Sequence, residues 1–215
     1  MGNLQSTILG IILTIPAVMI AFVAQGYSKA LVADKLGDRT PRFNGRLTMN
    51  PAAHLDPIGF VMILIIGFGW TKPLETNPRA FKRGYKDSIK VSIAAPIANL
   101  LVGFITLFLY TLIGKTLTML PGTLYFILIS VIANTATINI GLGIFTLLPL
   151  PGLAGFDIFR DLAPKKFYEV ADKIYQYQMI ILLGVIFFGQ GILGMLRGLI
   201  INFYQIIINA LLFFL

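Results

Sequence analysis

Long apolar stretches separated by short polar segments dominate the chain. The apolar runs cover approximately residues 7–33, 57–70, 88–114, 121–148 and 175–215. A helix needs about 20 residues to cross a hydrocarbon core of roughly 30 Å, so the first, third and fourth runs predict membrane-spanning helices. The last run is long enough for two helices, which we expect to break at Arg197-Gly198, with one long tilted helix as the alternative.

The run 57–70 is too short for an ordinary crossing. Basic residues flank it on both sides. They are Lys35, Arg39, Arg42 and Arg46 before it, and Lys72, Arg79, Lys82, Arg83, Lys86 and Lys90 after it. Because basic loops remain on the cytoplasmic side of a membrane, both flanks are predicted there, and the run between them is predicted to form a short re-entrant or interfacial hairpin.

The same charge bias orders the remaining segments. It predicts the N-terminus and 115–121 outside, and 34–56, 72–87 and 150–173 inside. Two helices within 175–215 would return the C-terminus to the inside. The fold class predicted is an all-α, polytopic helical bundle of about five to six spans. We treat residues 1–215 as a single membrane domain that ends in the hydrophobic helices of 175–215.

Composition supports the membrane class and narrows the chemistry. Hydrophobic residues make up 57% of the chain and charged residues only 12%, which is typical of an integral membrane protein. The net charge is +8, but the basic residues lie in polar stretches between apolar runs, which favours membrane lipid over nucleic acid as a partner. With no Cys a thiolate metal site is excluded, and a single His removes most other zinc chemistry.

Three separated segments carry a family resemblance. The first runs from Ala30 through Asn50-Pro51-Ala52-Ala53-His54 to Gly59; the second comprises Gly67–Pro73, Asn77-Pro78-Arg79 and Ala95–Asn99; the third is Asn139–Asp157, with Leu147-Leu148-Pro149-Leu150-Pro151. In order and spacing they resemble the compact bacterial branch of the site-2 protease family, the zinc metalloproteases that cut within membranes. The resemblance covers a core of about residues 18–160. It implies a multi-pass protein of a bacterial cell membrane.

The zinc site that the resemblance implies is altered in this chain. The family carries His-Glu-x-x-His on a helix, where two imidazoles one turn apart hold zinc and the Glu activates its water. The matching positions here are Gln25, Gly26 and Lys29, and the position of the third ligand, an Asp, is Ala154. We therefore predict no catalytic residue, metal or cofactor, zinc being expected only for active members. The interpretation is a catalytically inactive relative, a pseudoprotease.

A substrate or partner cleft is the second implication of the resemblance. In the family, Asn residues at the places of Asn99 and Asn139 and an extended segment near Pro149 and Pro151 are associated with substrate. Their retention predicts that the chain binds a transmembrane protein or peptide. Hydrogen bonding between helices is the alternative role of the two Asn side chains. His54 is interpreted as a structural residue.

Two other functions stay open on the sequence. One is an active intramembrane metalloendopeptidase that uses atypical residues. The other is a subunit of a membrane transport assembly, which would need a polar path through the spans. The candidates for such a path are Lys29, Asn99, Asn134, Asn139 and Gln190.

Lys29 needs a separate explanation, because an ammonium inside a membrane is costly unless it is paired or reaches the interface. If the stretch after Ala154 is helical, Asp157 lies on the same face as Ala154. We then expect Lys29 to occupy the altered metal site and to form an ion pair with Asp157. The alternative is that Lys29 reaches the cytoplasmic interface beside Asp34 and Asp38.

Overall fold

The computed structural model describes residues 2–67, 69–116 and 121–213, with side chains from residue 7 onward. These ranges fold into α-helices, two short 3₁₀ turns and connecting loops. The helices are α1 (Gly2–Lys35), α2 (Thr40–Phe43), α3 (Pro57–Ile66), α4 (Tyr85–Thr116), α5 (Gly122–Phe145), α6 (Ala154–Leu162), α7 (Pro164–Phe188) and α8 (Gln190–Phe213). The all-α prediction is confirmed.

Five of these helices are long and apolar enough to cross a membrane: α1 from Thr7 onward, α4, α5, α7 and α8. In lipid every backbone N–H and C=O must be bonded internally, which a helix does within its own segment. The expected polytopic bundle is therefore confirmed, and the chain is a multi-pass membrane protein. Most of the external connection predicted at 115–121 lies outside the described residues.

The centre of the bundle is formed by α1, α4 and α5, with α6 packed on α4 and α8 packed on α5 and α4. Val18 and Phe22 of α1 join Leu142 of α5 in one buried cluster. Gly103 of α4 approaches Ile140 of α5 so closely that a Cβ at residue 103 would overlap the Ile140 side chain. Such small residues let two membrane helices approach closely, so that van der Waals packing can hold them together.

The short apolar run forms a hairpin, as predicted. Asp56 caps the start of α3 by accepting a hydrogen bond from the Gly59 amide at 2.8 Å. Gly67 ends the helix with a left-handed φ of 78°, which a residue with a side chain rarely adopts. The chain then returns along α3, and Leu55 forms an antiparallel bridge with Thr71. Both ends of the hairpin therefore lie on the same side of the bundle.

The C-terminal region forms two helices separated by Gly189 alone, which keeps a helical φ of −79° and ψ of −13°, and the predicted position of the break is wrong. α7 ends at Phe188 and α8 begins at Gln190, whereas Arg197-Gly198 lies inside α8. A single Gly costs a helix only about 1 kcal/mol relative to Ala. Broken backbone hydrogen bonds in lipid cost several kcal/mol each, so the helix continues through residue 198.

The direction of α8 differs from the expectation that the C-terminus returns to the inside. Leu193, near the start of α8, lines the same groove as Gly141 in the last part of α5. Ile208, near its end, packs against Ala136 and against Leu107 of α4. α8 therefore runs antiparallel to α5 and ends at the opposite end of the bundle from the loops that follow α5. The junction between α7 and α8 lies beside the C-terminal part of α5. The two helices therefore do not form a pair of antiparallel membrane crossings.

Candidate functional site

The three positions at which the resemblance implies zinc ligands come together in one small cavity. Gln25 and Lys29 of α1 and Ala154 at the start of α6 line a space of about 50 Å³, which we call the donor pocket. Its other lining residues are Gly69, Trp70, Thr71, Ala95, Leu142, Phe145, Thr146, Gly152 and Leu153.

Helix geometry brings Gln25 and Lys29 together, and the tertiary fold adds Ala154 to them. α1 is continuous through residues 25–29, so Gln25 and Lys29 lie one turn apart on the same helix face. Ala154 arrives from a distant part of the sequence. The turn after α5 is held by a hydrogen bond of 2.9 Å from the Gly155 amide to the Thr146 carbonyl, which fixes the start of α6 at the pocket.

The residues of the donor pocket do not fit zinc. An ammonium repels a divalent cation, and the Ala154 methyl group has no lone pair. Across residues 7–67, 69–116 and 121–213 no group of three or more His, Cys, Asp or Glu side chains is placed to hold a metal ion. We therefore derive no step through zinc. That the protein binds no zinc stays a prediction.

His54 lies directly against Gly26, the residue at which the resemblance implies a catalytic Glu. A Cβ on residue 26 would overlap the imidazole Nδ1 and lie 2.7 Å from its Cγ. His54 is fully buried, and its Nε2 lies 2.7 Å from the Thr48 carbonyl. A carbonyl only accepts, so Nε2 is assigned as the protonated nitrogen and Nδ1 as the lone pair facing α1. The imidazole thus occupies space that a side chain at residue 26 would need.

The charge state of His54 follows from the same surroundings. Burial lowers the pKa of His54 from its usual value, the bond to the Thr48 carbonyl partly opposes this, and the positive charge of Arg46 lowers the pKa further. His54 is therefore expected to be neutral at pH 7. This agrees with the structural role inferred from the sequence.

The structure does not join Lys29 and Asp157 in a direct ion pair. Asp157 is on α6, so the helical placement assumed for it is present. Its carboxylate, however, accepts a hydrogen bond of 3.1 Å from Arg160. Lys29 makes neither a hydrogen bond nor an ion pair within the described chain. Asp157 still acts on the Lys29 ammonium as an attractive charge, opposed by Arg46 and Arg160.

The alternative placement of Lys29 beside two interfacial carboxylates is not seen either. Asp34 pairs with Arg42 at 2.6 Å. Asp38 is buried and accepts hydrogen bonds from the backbone amides of Thr40 at 2.9 Å and Asn77 at 2.7 Å. Both carboxylates are therefore occupied by other partners, and Lys29 is left partly buried in the donor pocket.

An apolar groove of about 340 Å³ adjoins the donor pocket. Leu142 and Phe145 of α5 line both spaces, so the two share a wall. The other residues that line the groove are Ile63, Ile66, Gly67, Thr137, Ile138, Gly141, Val185, Ile186, Gln190, Leu193, Gly194 and Arg197. They come from α3, α5, α7 and α8. Single-sequence reasoning missed this set, because α3, α5 and the C-terminal helices are far apart in the chain.

The four residues predicted to form a cleft line neither the pocket nor the groove. Asn99 and Asn139 are fully buried within the bundle. The Asn139 amide donates a hydrogen bond of 2.9 Å to the Thr135 carbonyl. Pro149 and Pro151 lie in the turn between α5 and α6, after the end of the span rather than inside it. Their contribution is to shape the turn that carries Ala154 to the donor pocket.

The fold defines an all-α, polytopic membrane protein with a small polar pocket between α1 and α6. The chain is 36% identical over 165 residues, 77% of its own length and 75% of the relative, to the protein named "Putative zinc metalloprotease YwhC" of Bacillus subtilis (strain 168). It therefore belongs to the same protein family as YwhC, which supports a site-2 protease-like relationship. No protein-family model matches the chain, and no solved structure matches it significantly.

Proposed function

We propose that this chain is a non-proteolytic member of its family, located in a bacterial cell membrane, which binds a transmembrane segment of another protein or peptide. The observation that carries the proposal is the donor pocket itself. Gln25, Lys29 and Ala154 meet where the resemblance places zinc, yet they supply one neutral amide, one cation and one methyl group. Such a set can bind and orient a group, but it cannot activate a metal-bound water.

The groove supports binding of a membrane segment. Its walls are mostly apolar, as an apolar helix or extended peptide would require, and it is formed between α3 and three helices that are long and apolar enough to span the membrane. A Cβ on Gly141 would meet no heavy atom within 4 Å, so the groove is open at this position.

Gly141→Leu is the direct test of the groove. The leucine side chain would fill the open space, and a Gly to Leu change within a helix adds helix propensity, so the fold should be retained. Gly122→Leu is the matched control, because Gly122 also lies on α5 with open space around it, away from the groove. Binding of single-span peptides in nanodiscs should be lost in the first variant and kept in the second. Equal binding by both variants would refute the proposed groove.

The active alternative is favoured by the name of the relative, which calls YwhC a zinc metalloprotease. Purified protein should be incubated with zinc and a panel of single-span substrates, beside an active member of the family as positive control. We expect no cleavage. Cleavage that is abolished by a chelator would establish the metalloendopeptidase and end the proposal.

A further inference from the structure

The donor pocket contains two groups that can donate hydrogen bonds and lack an acceptor. Gln25 is only 5% exposed, and its Nε2 has no hydrogen-bond partner among the described residues. The Lys29 ammonium, one turn further along α1, has three donors and neither a hydrogen-bond partner nor an ion-pair partner in the same part of the chain. A buried donor left unpaired is costly, and here the buried Gln25 amide and the partly buried Lys29 ammonium line the same cavity, so an acceptor that enters the pocket could bond to both.

The charged groups around Lys29 are two further cations and one carboxylate, which exerts the largest charge effect on it. Besides Lys29 itself, the cations that act there are Arg46 and Arg160. The one opposing carboxylate, Asp157, is already bonded to Arg160 at 3.1 Å. In addition, α6 begins at Ala154, so the positive end of its helix dipole lies at the pocket.

The size of the pocket limits what can bind. About 50 Å³ accommodates a group of a few atoms, such as a carboxylate, but not a lipid headgroup. The neighbouring groove is almost seven times larger and mostly apolar. A ligand that fills both must combine an apolar body with one small acceptor.

We propose that the donor pocket binds the carboxylate of an Asp or Glu carried by an otherwise apolar membrane segment. This inference rests on the proposed function and deepens it, because it names the chemistry by which the segment is selected. The Lys29 ammonium and the Gln25 amide donate to the two carboxylate oxygens, and the apolar flanks of the segment lie in the groove beside Leu142 and Phe145. Lys29 then replaces the charge of a metal as a fixed cation of the protein.

The test uses the chain's only tryptophan, Trp70, which lines the pocket. The probes are two labelled Leu/Ala peptides of about 20 residues, identical except for one central Glu or Gln, in nanodiscs. Energy transfer from Trp70 to an acceptor dye on the peptide reports binding. We expect the Glu peptide to bind about tenfold more tightly or better, as hydrogen bonds to a charged group allow.

Two variants localise the effect. Lys29→Met should remove the preference for Glu, while Lys35→Met, at the exposed end of α1, should keep it. The peptide pair tests the inference on the unchanged protein, even if a variant folds poorly. Equal affinities of the two peptides, both lost in Gly141→Leu, would overturn the carboxylate site and leave the proposed function standing. Binding of neither peptide would overturn both proposals.

Discussion

The donor pocket and the polar loops 36–56 and 69–84 both bury charged or polar groups, but the charged side chains of the loops are bonded within the protein and that of the pocket is not. In the loops both buried charged side chains have partners: Asp38 accepts from two backbone amides, and Arg46 donates to the carbonyls of Lys72 and Pro73, each at 2.9 Å. Arg46 Nε and His54 Nδ1 are the two buried side-chain atoms of these loops that have no partner among the described residues. In the pocket, Gln25 Nε2 and the Lys29 ammonium are not bonded within the described residues. Bonded charges hold a structure together, whereas unbonded donors are available to a ligand.

The largest effect is expected in the loops. Asp38→Ala would leave the amides of Thr40 and Asn77 without their acceptor, which should lower the free energy of unfolding by about 2–4 kcal/mol. Asp34→Ala is the control, since its partner Arg42 is exposed and such a pair contributes about 0–1 kcal/mol. Unfolding in detergent measures both. A loss for Asp38→Ala no larger than the control would contradict the structural role of the loops.

The next largest loss of stability is expected at the contact between Gly26 and His54. Gly26→Ala places a methyl group on the imidazole, and overpacking of this kind costs about 1–3 kcal/mol. Thermal unfolding should show the loss, and Gly26→Ala combined with His54→Ala should recover part of it. If Gly26→Ala is as stable as the parent, then the imidazole does not occupy this space.

Stability should also depend on pH through His54. Burial lowers the pKa of His54, so the folded state takes up its proton less readily than the unfolded chain. This contribution is therefore complete above the unfolded pKa of about 6.5 and is lost as the pH falls below it. Unfolding measured between neutral and mildly acidic pH should show a decline that His54→Asn reduces. An identical decline in the variant would assign the effect to other groups.

The smallest effect is expected in the pocket. Lys29→Met removes a partly buried charge that has no direct partner, so stability should be unchanged or rise by about 1 kcal/mol. Asp157→Asn should cost no more than about 1 kcal/mol, because its bond to Arg160 is partly exposed. A loss of several kcal/mol in each single variant, recovered in the double variant, would instead establish the ion pair predicted from the sequence.

Much of the fold could be predicted because it depends on local rules. Run lengths identified the spans, and the basic flanks of 57–70 identified the hairpin that Leu55 and Thr71 close. The break in the C-terminal region was misplaced, because a Gly next to a charged residue is a weak signal where lipid forces the helix to continue. The direction of α8 was also missed, since only its packing against Ala136 and Leu107 reveals it.

The sequence by itself determined that Gln25 and Lys29 share a helix face, since α-helical geometry places residues one turn apart together. The family resemblance pointed to Ala154 as their distant companion. Only the tertiary structure decided that His54 lies against Gly26, that Asp157 bonds to Arg160 and not to Lys29, and that the groove shares a wall with the donor pocket. Each helix satisfies its own backbone hydrogen bonds, so a span needs only a long apolar run, which is visible in the sequence. Contacts between helices that are distant in the sequence depend on how their side chains pack, and no local sequence pattern predicts that packing.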